Sequence, residues 1–257
     1  MKKYIKNFEV VENLHLSNLY SVLKLRPLDG ELPEMIPGQF VQVYVENSKN
    51  TYLRRPISIN NVDRDKNEMW LLIRKAGEGT KNLLQLLSGS VLNLVLPLGN
   101  GFTMLDKGRV LLVGGGVGVA PLLFHGKVLQ SHGCDVSFLL GARSKNDLLQ
   151  LEEFSKYGML YLSTEDGSVG EKGLVTQNSV MQSDFDIIQC CGPQPMMKAV
   201  ARIAKEKGTD CEVSLENMMA CGLGACLCCV EDTVSAGNVC VRKEGPVFNI
   251  NNLKWQI

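Results

Sequence analysis

The chain has 257 residues, with 27 basic against 27 acidic side chains, 45% hydrophobic and 21% charged residues. That balance argues against a nucleic-acid binder, which carries a basic excess or stripe, and the length allows one large domain or two to three small ones. No apolar stretch follows the opening lysines, so no secretory signal is expected. The longest apolar run, Val110 to Phe124, holds four glycines and a proline and falls short of the roughly 20 residues a membrane helix needs.

A cytoplasmic protein that binds neither membrane nor nucleic acid is therefore the expectation. In chain order, QFVQVYV (Gln39 to Val45), MWLLIRK (Met69 to Lys75) and VLNLVLPLG (Val91 to Gly99) read as short strands. Strands of this kind, ended by turn residues, predict a small antiparallel barrel over residues 1–103. GEGTKNLLQLL, Gly77 to Leu87, interrupts it with a helical pattern. From Gly108 the pattern alternates. RVLLVGG, DVSFLLGA, MLYLSTED and FDIIQCCGP read as strands. APLLFHGKVLQSHG, SKNDLLQLEEFSKYG and QPMMKAVARIAKEKG read as helices between or after them. Such alternation predicts βαβ units around a parallel sheet, assigned to residues 104–212, with a third unit at 213–257.

Three motifs could carry chemistry in the first two units. LLVGGGVGVAPLL, Leu111 to Leu123, places a glycine cluster between a buried strand and a helix. Such a turn lets main chain approach a phosphate at a helix start, and Pro121 fits the first helical turn. A ligand-free tight turn is the plain alternative. QCCGPQPMMKAV, Gln189 to Val200, repeats strand, turn and helix at the carboxyl end of a parallel strand, where open sheets bind ligands. Cys191 there either lines a nicotinamide pocket or is a buried inert thiol, the fate expected of Cys134, Cys190 and Cys211. In LRRPISI, Leu53 to Ile59, Arg55 suits a diphosphate and Ser58 a ring nitrogen. Arg54-Arg55 could equally be solvated edge charges. Gly79 and Thr80 offer a second phosphate cradle or a simple helix cap.

Five of the nine cysteines lie between Cys221 and Cys240. Cys221, Cys226, Cys229 and Cys240 are spaced C-x4-C-x2-C-x10-C, the plant-type [2Fe–2S] pattern. A zinc site usually pairs two C-x2-C knuckles, and disulfides are disfavoured in a reducing compartment. Gly222, Gly224 and Ala225 leave room for a loop to wrap a cluster, and Cys228 reads as a packed neighbour.

Arg55-Pro56-Ile57-Ser58, Gly114-Gly115-Gly116-Val117-Gly118 and Cys191-Gly192-Pro193-Gln194-Pro195-Met196, in this order, resemble the motifs of the ferredoxin-NADP reductase superfamily. The appended cysteine segment, TEDGSVGEKG (Thr164 to Gly173) and the GPVF ending at Phe248 narrow the resemblance to the electron-transfer subunits of NAD-dependent dihydroorotate dehydrogenases, over essentially the full length.

The resemblance implies a multi-domain β + α/β fold: an antiparallel flavin-binding barrel, a parallel-sheet nicotinamide domain and a small C-terminal [2Fe–2S] domain. It implies FAD at Arg55, Pro56, Ile57, Ser58, Leu72, Ile73, Arg74, Gly79 and Thr80. NAD is placed at Gly114, Gly115, Gly116, Gly118, Pro121, Cys191, Gly192, Pro193 and Met196, and the cluster at Cys221, Cys226, Cys229 and Cys240. Many superfamily members carry a tyrosine where this chain has Ile57. The implied partner is an FMN-containing catalytic subunit that oxidises dihydroorotate in pyrimidine biosynthesis, assembled as a heterotetramer, with no acid–base residue required of this chain. Two alternatives stand beside this reading. One is a flavin/[2Fe–2S] subunit of an NADH-dependent ferredoxin:NADP⁺ oxidoreductase or sulfhydrogenase-type complex; the other is a zinc-stabilised nucleotide-binding protein. Arg143, after FLLGA, could meet a 2′-phosphate or simply cap the sheet edge.

Overall fold

The computed structural model describes residues 2–46, 48–220, 226–234 and 236–255. Six strands form the first unit: β1 (Tyr4–His15), β2 (Tyr20–Pro27), β3 (Phe40–Val43), β4 (Arg55–Asp63), β5 (Glu68–Arg74) and β6 (Val91–Leu98). They close an antiparallel barrel in the order β1-β2-β5-β4-β3-β6, with helix α1 (Glu78–Leu84) between β5 and β6. Alternation along the strands sends Leu23, Leu25, Ile59, Leu71, Ile73, Leu94 and Leu96 into the barrel. The opposite face of β2 and β5 is also apolar. Tyr20, Val22 and Leu72 leave the barrel and pack with Val119, Ala120 and Leu122 of the second unit.

The second unit opens with β7 (Arg109–Gly115), α2 (Ala120–Ser131), β8 (Asp135–Ala142) and α3 (Leu151–Phe154). It continues through β9 (Met159–Thr164), β10 (Glu171–Lys172), β11 (Ile187–Cys191), α4 (Gln194–Lys207) and β12 (Asp210–Ser214). β7 and β11 are continuous buried runs because helices cover both faces of a parallel sheet. α4 shows the matching stripe, burying Met197, Val200, Ala201 and Ala204, and ends on the left-handed Gly208. The tail supplies β13 (Val230–Thr233), β14 (Gly237–Cys240), α5 (Val241–Glu244) and β15 (Val247–Asn249). β13 and β14 pair as a hairpin, whereas β15 joins the main sheet antiparallel to β12, giving the order β10-β9-β8-β7-β11-β12-β15. A boundary at 212/213 thus falls inside β12, and the tail is stitched into the sheet it follows.

SKNDLLQLEEFSKYG is not the long helix its pattern predicts. Only Leu151–Phe154 is α-helical, because Gln150 turns left-handed at φ 54. In that conformation Gln150 trades hydrogen bonds with the Asn60 amide of the barrel, at 3.0 and 3.1 Å, while Asn60 also donates to Ala120 O. A part-buried inter-domain amide pair outweighs helix propensity here. Lys127 donating to Val62 O adds a second tie between the units. Among the described residues, no helix is long and apolar enough to cross a membrane.

Candidate functional site

The barrel wall splits beside Arg55. β4 pairs with β3 from Arg55 to Ser58, and β5 pairs with β2 out to Arg74, but the β4–β5 ladder stops at Ile59 opposite Leu71. A slot opens between Arg55–Ser58 on one side and Leu72–Arg74 on the other. All nine sequence-predicted flavin residues lie on its walls or at its end. The first turn of α1 closes that end: a methyl group on Gly79 would lie 3.3 Å from Arg55 Nε and 2.9 Å from Thr51 Cγ2. Arg55 Nε is buried there without a hydrogen-bond partner.

The individual side chains divide the work. Arg54 turns away from the slot, donating to Gln42 O, Asn93 O and Asn93 Oδ1 and lying over Tyr44, so the two adjacent arginines have separate jobs. Ile57 packs against the barrel core, and Ser58 points to the opposite face by alternation. Leu72 and Ile73 commit their side chains to the two cores, leaving their main chain to face the slot. Thr80 Oγ1 accepts from the Ala76 and Gly77 amides, so its hydroxyl caps the helix start.

The two turns of the second unit meet at the sheet's switch point, where the chain leaves β7 towards β8 and later returns to β11. Their main chains touch: a methyl on Gly118 would lie 2.5 Å from Gly192 Cα, and one on Gly115 2.6 Å from Met196 Sδ. Gly116 is left-handed at φ 56 with open space around it, and Pro121 stands in the first turn of α2. Cys191, at the end of β11, is buried. Burial pushes its thiol far up, the Glu216 carboxylate adds to that, and a hydrogen bond with Ser214 opposes it. Cys191 is therefore a neutral packing thiol at the wall of this site.

Glu216 was not singled out by any motif. It is reached by solvent yet walled by protein, and that desolvation raises its carboxyl pKa while the Arg74 guanidinium opposes the rise. It joins Arg74 of the slot and Cys191 of the nicotinamide turn in one electrostatic neighbourhood. A lone acidic residue after Val213-Ser214-Leu215 carries no signature that could flag it.

In the third unit, Cys221 lies outside the described residues, as do Gly222, Gly224 and Ala225. Cys226 and Cys228 are exposed, Cys229 is buried and Cys240 is half-buried. The β13–β14 register sets Val230 opposite Cys240, and the Val241 amide donates to Cys229 O at 2.8 Å. This brings Cys240 close enough to Cys229 to raise its thiol pKa, after burial itself. Leu227, between Cys226 and Cys229, is left-handed at φ 54. Among the described residues, no three potential ligands converge, while Cys229 and Cys240 lie near enough to interact. A soft, all-sulfur donor set with a buried guanidinium (Arg242) against Cys229 Sγ fits an anionic thiolate cluster. Arg55 Nε, buried and unsatisfied beside Gly79, likewise fits a diphosphate.

Residues 216–254 match the iron-sulfur cluster binding domain of dihydroorotate dehydrogenase B, and residues 112–202 match the oxidoreductase NAD-binding domain. The dihydroorotate dehydrogenase B (NAD⁺) electron transfer subunit of Lysinibacillus sphaericus is 42% identical over 231 residues, covering 86% of this chain and 88% of the relative. This chain belongs to that family. The corresponding subunit of Caldanaerobacter subterraneus is 41% identical, over 88% of this chain and 94% of its own. Among solved structures, the NADH-dependent reduced ferredoxin-NADP oxidoreductase superposes with TM-score 0.86 at 28% identity, over 96% and 90% of the two chains. The FAD/NAD-binding domain of a Vibrio cholerae nitric oxide dioxygenase, 20% identical, shares the fold at TM-score 0.67, over 81% and 98%. The two matched family models thus describe an iron-sulfur cluster binding domain and an NAD-binding domain in this oxidoreductase subunit.

Proposed function

We propose that this chain carries electrons from a dihydroorotate-oxidising, FMN-containing partner to NAD⁺, in a complex of two chains of each kind that serves pyrimidine synthesis. Flavin bound here exchanges electrons singly with a cluster and as a hydride with a nicotinamide. The observation that carries the reading is the slot: Arg55 Nε is buried without a partner at the closed end of a gap in the barrel wall, and the opposite wall meets the glycine turns of the second unit.

Arg55 supplies a fixed positive fork for a diphosphate, and Gly79 keeps the main chain close enough to contribute beside it. Ser58 offers a hydroxyl to a ring edge, and Arg74 and Glu216 place opposite charges at the open end. The touching turns, Gly114–Gly118 and Cys191–Met196, form the nicotinamide side, with free space at Gly116 for phosphate oxygens. Cys221, Cys226, Cys229 and Cys240 hold the cluster. The exposed Met218 and Leu227 beside this segment offer apolar surface to the partner. No residue of this chain moves a proton.

The 41–42% identity to dihydroorotate dehydrogenase B subunits, against 28% to the ferredoxin-NADP oxidoreductase, favours this reading over the related bifurcating subunit. Co-expression with an FMN subunit tests it directly. Dihydroorotate-dependent reduction of NAD⁺ by the purified complex is expected. A complex loaded with flavin and cluster that fails to reduce NAD⁺ with dihydroorotate sinks the proposal.

A further inference from the structure

Among the described residues, Arg242 is the bulkiest fully buried side chain, 1% exposed. It follows Cys240 by two positions, and its Nη2 lies 3.7 Å from the equally buried Cys229 Sγ. The main chain holds the two together: β14 leads straight into α5, and the Val241 amide donates to Cys229 O. A guanidinium stays charged in proteins, and taking it out of water is costly unless negative charge lies against it. A ligating thiolate at Cys229 would set negative charge directly against its Nη2.

In a [2Fe–2S] site, thiolates and sulfides together outweigh the ferric charge, and each added electron makes the group more anionic. A fixed cation at a ligand sulfur therefore stabilises the reduced form more than the oxidised one. We propose that Arg242 is a positioning residue that donates to the Cys229 sulfur and raises the reduction potential of the cluster, easing its acceptance of electrons from the partner subunit. This rests on the reading of Cys229 as a cluster ligand.

The complex with its FMN partner, in wild-type, Arg242→Gln and Arg242→Lys forms, is titrated anaerobically with redox dyes while the reduced cluster is followed by electron paramagnetic resonance. Arg242→Gln is expected to make cluster reduction roughly tenfold less favourable at a given potential, a fall of about 59 mV for a one-electron couple. Arg242→Lys keeps most of the wild-type midpoint. A loaded Gln variant with an unchanged midpoint overturns the proposal, and a Lys variant that falls as far as Gln overturns charge as the cause. Wild-type protein labelled with ¹⁵N-arginine is expected to show a nitrogen coupling to the reduced cluster that the Lys variant lacks. Its absence overturns the contact, even where the Gln variant fails to load. A wild-type complex devoid of iron and sulfide overturns the ligand reading beneath the proposal, and is told apart by iron analysis.

Discussion

Cys190 and Cys229 are both almost wholly buried, yet their surroundings differ in kind. Cys190 sits in β11 inside an apolar cluster, where burial and the neighbouring thiols of Cys211 and Cys191 push its pKa far up. Cys211 behaves alike, pushed up to about 12 by burial first and by Asp210 and Glu212 second. Cys229 lies against a buried guanidinium. Burial among apolar neighbours makes a thiol inert, whereas the guanidinium gives the buried Cys229 sulfur a charged hydrogen-bond donor. Position in the fold, more than exposure, sets these two buried cysteines apart.

The sharpest way to break that contrast is substitution at both ends of it. Cys229→Ser is expected to abolish the cluster's visible absorption, while Cys190→Ala and Cys228→Ser keep wild-type iron content by chemical analysis. Loss of iron from Cys190→Ala would erase the distinction between the two burials.

His125 extends the comparison to a second titratable group. It is fully buried, stacked on Phe102, with Nε2 2.5 Å from Gln189 Oε1, and desolvation lowers its pKa to about 4 despite that hydrogen bond. The ring stays neutral in the fold, whereas the unfolded chain protonates below about 6.5. Stability from this group is therefore complete above pH 6.5 and is lost as pH falls towards 4, by on the order of 3 kcal/mol. Chemical denaturation of His125→Leu across that range should show a flatter acid slope than wild type. Equal slopes would mean that burial does not hold this ring neutral.

Arg55 is the barrel's counterpart of Arg242. Removing it with Arg55→Ala is expected to weaken FAD about 10- to 100-fold, the worth of a charge-assisted hydrogen bond of about 1.5–3 kcal/mol. Flavin fluorescence titration of the apoprotein measures it, and an unchanged Kd removes Arg55 from the site. The smallest effect is expected at Gly118→Ala. The added methyl meets the Gly192 main chain at 2.5 Å, so about 1–3 kcal/mol of stability is lost and the KM for NAD⁺ rises while FAD content holds. A KM that does not move would show that the contact of the two turns does not shape the nicotinamide side.

Local patterns determine much of this protein. The order of strands and helices, the glycine turn before α2, the stripe of α4 and the all-sulfur donor set are written in near-neighbour sequence, because periodicity and turn chemistry act over a few residues. Where distant residues compete, the sequence alone falls short. The helix proposed after Ser144 yields to a reciprocal amide pair between Gln150 and Asn60, 90 positions apart. The slot exists only because β4 and β5 part beyond Ile59 and Leu71, a matter of register within a closed barrel. Glu216 gains its place from β12 ending beside Arg74, and Arg242 meets Cys229 only once the β13–β14 hairpin has folded back. Composition supplied the charges and thiols; long-range packing chose which of them face one another, since only a folded chain sets the distances on which burial and Coulomb interactions depend.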